Sequence, residues 1–165
     1  MFFELESIFN TPGAVLPVDY TMDFSDVKLN NTFPFQSGVH VQGRFENRAD
    51  IVSVHVSAVF TLSLSCDRCA REFSRTYTVP VEHVLVRELN DESNDELICI
   101  ESSQFDLDAL VSDDIFLFLP FKFLCSEDCE GICIYCGQNL NDGPCSCKKP
   151  VDPRLESLMQ LLDNS

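Results

Sequence analysis

Eight of the nine cysteines in this chain of 165 residues fall into four close pairs: Cys66-x-x-Cys69, Cys125-x-x-x-Cys129, Cys133-x-x-Cys136 and Cys145-x-Cys147. Two thiolates a few residues apart can clasp a metal ion from one tight turn, and two such turns complete the tetrahedron that zinc prefers. One CxxC is a weak signal, but four thiol pairs in so small a chain are hard to obtain otherwise. Zinc is favoured over an iron–sulfur cluster. The candidate ligands are therefore Cys66, Cys69, Cys125, Cys129, Cys133, Cys136, Cys145 and Cys147, with capacity for one or two zinc ions. A closed thiolate set has no open coordination position, so its chemistry is stapling rather than hydrolysis. Structural zinc is worth an apparent ~10–16 kcal/mol, which matters in a segment with hardly any core of its own. The ninth cysteine, Cys99, reads as a small core residue.

Two groupings of the pairs compete. In the preferred one, Cys133 and Cys136 join Cys145 and Cys147 as a local ribbon, while Cys66 and Cys69 join Cys125 and Cys129. In the crossed grouping, Cys66 and Cys69 meet Cys133 and Cys136. Gly137, directly after Cys136, suits a knuckle that needs positive φ.

Metal is preferred to disulfides because nothing in the chain reads as an export signal. The opening Met-Phe-Phe-Glu-Leu-Glu carries acid where a secretory leader carries base. The longest uncharged apolar run, Ile115 to Phe121, is too short to cross a bilayer. A cytoplasmic protein is expected, and a reducing cytosol keeps thiols free.

The net charge is -16, from 11 Lys plus Arg against 27 Asp plus Glu. Residues 89–119 hold nine acids and no base. A solvated loop and helix face is the ordinary reading, and an acidic surface for a cationic partner is the sharper one. Such acidity argues against coating nucleic acid unaided. Five of the bases, Arg68, Arg71, Lys122, Lys148 and Lys149, lie within four residues of a cysteine pair, where they offset thiolate charge. Alternatively, Arg68, Arg71, Arg75, Lys148 and Lys149 form a small basic face making weak direct RNA contact.

The elements that must position the sulfurs read as α+β, mainly antiparallel β. A twisted sheet or partly open barrel is expected, with few helices and a C-terminal cysteine-rich zinc segment. From Val52 to Leu64 apolar and polar residues alternate with period two, Val59 being the one apolar intruder, the mark of a half-buried strand. Phe73 to Leu89 forms its partner, with Pro80 indicating an edge or a bulge. Cys66 and Cys69 then sit at the tip of a long hairpin. Strands are also expected at Val39–Phe45, within 15–29 and at Glu96–Ile100, with Glu46 to Asp50 as a turn. Asp106 can cap a helix from Leu107 that Pro120 ends, although Ile115 to Leu119 also fits a buried strand. Asp152-Pro153 opens a last helix with a stripe of Leu155, Leu158, Met159 and Leu162, expected to pack on the chain's own core rather than on another protein. The expected organisation is a β-rich domain over 1–120 and a zinc-binding segment with its short helix over 121–165.

An enzyme is disfavoured. The only histidines, His40, His55 and His83, lie in strand patterns away from the cysteine pairs. No phosphate-binding glycine loop, His–Glu zinc motif or nucleophile elbow is present.

The string Cys66-Asp-Arg-Cys69-Ala-Arg-Glu-Phe73 after a long strand resembles the CxRC signature of the YceD family, the large ribosomal RNA subunit accumulation proteins. So does Leu124-Cys-Ser-Glu-Asp-Cys-Glu-Gly-Ile-Cys-Ile-Tyr-Cys-Gly-Gln-Asn-Leu-Asn141, and the close Cys145-x-Cys147 with Asp152-Pro153-Arg154-Leu155 matches that family's end. The resemblance implies a non-enzymatic role in bacterial or plastid ribosome biogenesis, in large-subunit RNA accumulation or processing. It also implies association with a large-subunit ribosomal protein or pre-ribosomal particle, while the short apolar runs lead to no membrane being expected. An acidic zinc-stapled β domain could shield a basic ribosomal protein until it is placed on RNA. The rival reading is a zinc-dependent, redox-regulated chaperone whose Cys133/Cys136 and Cys145/Cys147 clamp opens on oxidation.

Overall fold

A computed structural model describes residues 1–88, 97–100 and 104–147. The alternating run forms the longest strands. Numbered in chain order, the elements are β1 (Phe2–Glu4), α1 (Glu6–Asn10), β2 (Val15–Met22), β3 (Val39–Arg48), β4 (Ile51–Ser65) and β5 (Glu72–Val86). They continue with β6 (Leu97–Cys99), β7 (Gln104–Asp106), α2 (Leu107–Phe118) and a single 3-10 turn at Leu140–Asp142.

Strands β2-β3-β4-β5-β6 make one sheet in that order, antiparallel except where β6 runs parallel to β5. The sheet is open, with β2 and β6 at its edges. β1 and β7 form a separate antiparallel pair. Even-numbered residues of β4 from Val52 to Leu64 face the core, as period two requires, together with Val39, Val41 and Phe45 of β3 and Val79, Val81 and Leu85 of β5. Leu5 and Ile8 around α1, and Leu107, Val111 and Ile115 of α2, close that core from one side.

Several expectations hold in detail. Asp106 caps α2, its carboxylate accepting the Asp108 N–H at 3.2 Å. The stretch from Ile115 to Phe118 is helix rather than strand. Pro80 pairs opposite Ser57, where β6 does not cover the outer side of β5, so its missing N–H costs no ladder bond.

Others are corrected. The expected turn over Glu46 to Asp50 shrinks to Ala49 and Asp50, both at positive φ (55° and 66°), the signature of a two-residue hairpin loop. Residues 46–48 remain strand because Asn47 is buried there, donating its side-chain N–H to the Ile8 carbonyl at 2.8 Å and so holding α1. Cys99 is exposed, not core, because β6 is a three-residue strand at the sheet's edge. Elements β1, α1 and β7 have no counterpart in the sequence reading. The last helix expected from Asp152 lies outside the described residues, as do Lys148 and Lys149.

The β4–β5 hairpin matters most for the sulfurs. β3 pairs with β4 only as far as Val59, whereas β4 and β5 stay paired to Ser65 and Glu72. The hairpin therefore projects past the rest of the sheet, and the chain after α2 folds back against its tip.

Candidate metal centres

The first centre is built where that tip meets the returning chain. Beyond Ser65, residues 66–70 form a turn in which the Ala70 N–H donates to the Cys66 carbonyl (2.9 Å) and Ala70 takes a left-handed φ of 57°. This aims Cys66 and Cys69 at the segment following α2. Asp67 seizes that segment twice: its N–H donates to the Phe123 carbonyl (2.9 Å), and its carboxylate accepts the Phe123 N–H (2.6 Å). Arg68 donates to the Cys129 carbonyl at 2.9 Å, and Arg75 donates to the Leu124 carbonyl at 2.9 Å. Phe123 itself is buried in the main core. The Sγ atoms of Cys66, Cys69, Cys125 and Cys129 all lie within 4.8 Å of one another.

The second centre is local. Cys133 and Cys136 stand on a knuckle in which the Gly137 N–H donates to the Cys133 carbonyl (2.8 Å) and the Tyr135 N–H to the Cys133 sulfur (3.4 Å). Gly137 has φ 74°, as its place after the pair suggests, and open space where a Cβ would stand. Residues 138–144 loop back through the 3-10 turn, and Cys133, Cys136, Cys145 and Cys147 bring their Sγ atoms within 4.8 Å of one another. The grouping is thus the first of the two considered, and the crossed one does not occur.

Both sets fit a tetrahedral ion. Zinc–thiolate bonds of about 2.3 Å place neighbouring sulfurs about 3.8 Å apart. In the first centre Cys66 lies 3.7 Å from Cys129 and Cys69 lies 3.6 Å from Cys125, sulfur to sulfur. These are far longer than the ~2.05 Å of a disulfide. Four soft donors with no carboxylate or imidazole among them suit zinc chemistry. The two sets are the groups of metal-ligating side chains found among the described residues.

Without a cation the sulfurs divide their protons unequally. Burial opposes ionisation of Cys66, yet the backbone N–H groups of Cys125, Arg68 and Cys69 outweigh it and hold the thiol down at about 6. Burial pushes Cys125 up to about 12, helped by the neighbouring sulfurs. In the second centre, N–H groups of Cys136 and Tyr135 hold Cys133 at about 6, while hydrogen bonding to Cys136, with burial, pushes Cys147 up to about 12. Four negative sulfurs cannot share so small a space unaided, and a bound dication would supply the missing countercharge.

The centres are physically joined. Asn141, between the last two pairs, donates its amide N–H to the Cys129 sulfur (3.4 Å) and accepts the Glu130 N–H (2.8 Å). Arg71 at the hairpin tip pairs with Asp142 at 2.6 Å. The arginines read as charge compensation or as an RNA face thus also tie the returning chain to the hairpin. Sequence reasoning missed Asn141; its signal was the amide-rich Asn139-Leu-Asn141 between two thiol pairs. The histidines lie on the sheet. His83 meets Asp114 (2.8 Å), His55 meets Ser53 (3.0 Å) and His40 lies 3.8 Å from Asp19. Among the described residues no helix is long and apolar enough to cross a membrane.

Fold and sulfurs together define a small open-sheet β protein carrying two thiol tetrads able to hold metal ions. The model of the family described as "Large ribosomal RNA subunit accumulation protein YceD" matches residues 53–162, which include both tetrads, and the chain belongs to that family. Similar curated proteins are an uncharacterized protein of Mycobacterium bovis and two of Mycobacterium tuberculosis strains. Each is 34% identical over 68 residues, covering 41% of this chain and 33% of the relative, so the match spans about a third of those relatives' length. No solved structure matches.

Proposed function

We propose that this protein is a non-enzymatic ribosome-biogenesis factor supporting large-subunit ribosomal RNA accumulation or processing, with a zinc ion in each thiol tetrad. It acts in the cytoplasm by binding a basic large-subunit ribosomal protein or a precursor particle. The observation that carries this reading is the family match over the part of the chain that contains both tetrads. Two further features support it. The all-thiol donor sets leave no position for a reacting water. The acidic surface repels RNA backbone and attracts a basic protein.

Affinity capture from lysate at moderate salt, with metal content and thiols counted on the same preparation, tests it. Large-subunit proteins or precursor particles together with two zinc ions per chain are expected. Recovery of neither component overturns the partner, and a metal-free, fully reduced protein overturns the zinc.

The redox-regulated chaperone draws on the exposure of Cys136 in the second tetrad. There, peroxide would take two electrons from two thiolates, forming one disulfide and water and releasing the ion. Zinc retained through mild peroxide treatment excludes that reading.

A further inference from the structure

The end of α2 and the turn after it expose apolar side chains that nothing in the described fold covers. Leu117 is 85% exposed, Phe121 is fully exposed, and Phe116 and Phe118 are about half exposed on either side. The inward stripe of α2 is Leu107, Val111 and Ile115, so Leu117 points away from the core by helical geometry. Asp113 is exposed one turn before Leu117, on the same helix face. Phe116, Leu117 and Phe118 lie at the end of the stretch 89–119, which has nine acids and no base, and Lys122 follows Phe121. An exposed apolar knob with Asp113 beside it, on a chain of net charge -16, is a docking surface, because monomers rarely leave such residues clustered in water.

Charge selects the occupant. A second copy of this chain, at -16, would bring the same acids against themselves across a two-fold contact. The chain's own last residues, 152–165, carry three acids and one base. Anionic lipid is repelled as well. A cationic segment with apolar anchors meets every requirement. Its leucine-like side chains would cover Leu117, and its Lys or Arg heads would lie over the exposed Phe116, Phe118 and Phe121 rings and beside Asp113.

We infer that the outer face of the α2 C-terminus, centred on Leu117 and Phe121, docks a basic amphipathic segment of a protein partner. This rests on, and deepens, the partner reading given above.

The test has two arms, both on the full chain. In the first, a synthetic helical Lys/Leu peptide with one tryptophan is titrated against the wild type, Leu117→Asp, Phe121→Asp and Ile134→Asp. The protein has no tryptophan, so the emission is the peptide's alone. Ile134 is equally exposed but lies beside the second tetrad, which makes it the control. Added negative charge should tighten a purely electrostatic association. A loss of about tenfold in Leu117→Asp and Phe121→Asp, but not in Ile134→Asp, therefore reports the apolar contact. Equal binding by all four proteins overturns the proposal. So does tighter peptide binding on the charge-neutral Leu155→Ser, which would show that the chain's own tail occupies the face. A wild-type dimer in sedimentation that Leu117→Asp dissociates overturns it in favour of self-association.

The second arm captures partners from lysate with the wild type and the Leu117→Asp/Phe121→Asp double variant. Large-subunit proteins recovered by the wild type and lost by the double variant support the face. Equal recovery overturns the face and leaves the functional reading standing. No recovery by the wild type, with the peptide arm positive, sinks the functional reading and keeps the face.

Discussion

The two thiol tetrads share a donor set but hold different things together. The first unites sulfurs 63 and 56 residues apart, Cys66 with Cys129 and Cys69 with Cys125. Three of its members are buried, and they form a small cluster of their own with Phe73 and Leu124 packed against it. The second spans only residues 133–147, with Cys136 exposed and Cys145 and Cys147 half-buried. One is a seam between a hairpin and a distant segment, and the other is a ribbon closed on itself. Cross-linking remote positions removes far more unfolded-chain freedom than closing a short loop, so identical ligands need not contribute equally. Stability should depend on the first centre and exchangeability on the second.

The largest test of this contrast is ligand removal. With the proposed zinc in place, Cys66→Ser should cost at least about 4 kcal/mol in denaturant unfolding, because it opens the seam and leaves three buried or half-buried sulfurs without a full ligand set. Amide exchange at Asp67 and Phe123 should speed up with it. Cys136→Ser should stay within about 2 kcal/mol and leave those two amides protected. Equal losses from the two substitutions would erase the distinction.

Asn141→Ala probes the connection between the centres. It deletes the donor to the Cys129 sulfur and the acceptor of the Glu130 N–H, and about 1–3 kcal/mol should be lost. Calorimetric scans should show the two regions melting further apart. A wild-type profile would mean that Asn141 couples nothing.

A smaller effect separates two glycines. Gly131 has φ 81° and sits where a Cβ would approach the Arg68 carbonyl oxygen at 3.0 Å, inside the seam. Gly137 has φ 74° with nothing near. Gly137→Ala should cost only the left-handed penalty, about 1 kcal/mol, and Gly131→Ala about 2 kcal/mol, both read by thermal unfolding. The reverse order would place the tighter backbone in the ribbon.

Legibility in the sequence followed the same division. β4 was readable because Val52 to Leu64 alternate with Val59 as the one apolar intruder, and Pro80 pointed to an edge or a bulge. Both thiol sets were readable as pairs, since a turn that offers two sulfurs is a local feature. Which pair met which was a preference that the structure bears out, but spacing alone did not decide it, because it depends on how far the hairpin outruns β3 and where the chain returns after α2. Phe2 to Glu4 and Gln104 to Asp106 are too short to show a period, and only their pairing with each other makes them strands. Cys99 misled because its apolar neighbours look like core, while its place at the sheet's edge is a tertiary fact. Arg68 and Arg75 were noticed for their charge, yet their bonds to main-chain carbonyls could be seen only once the chain had folded back.

The length of the seam has a consequence for biosynthesis. Cys66 leaves the ribosome 63 residues ahead of Cys129, which at about 5–20 residues per second is a wait of about 3–13 seconds. During that interval the leading thiols can meet any stray metal or oxidant before their proper companions exist. A nascent chain made under peroxide or copper stress should therefore be damaged at Cys66 and Cys69, while finished molecules beside it keep those two thiols intact.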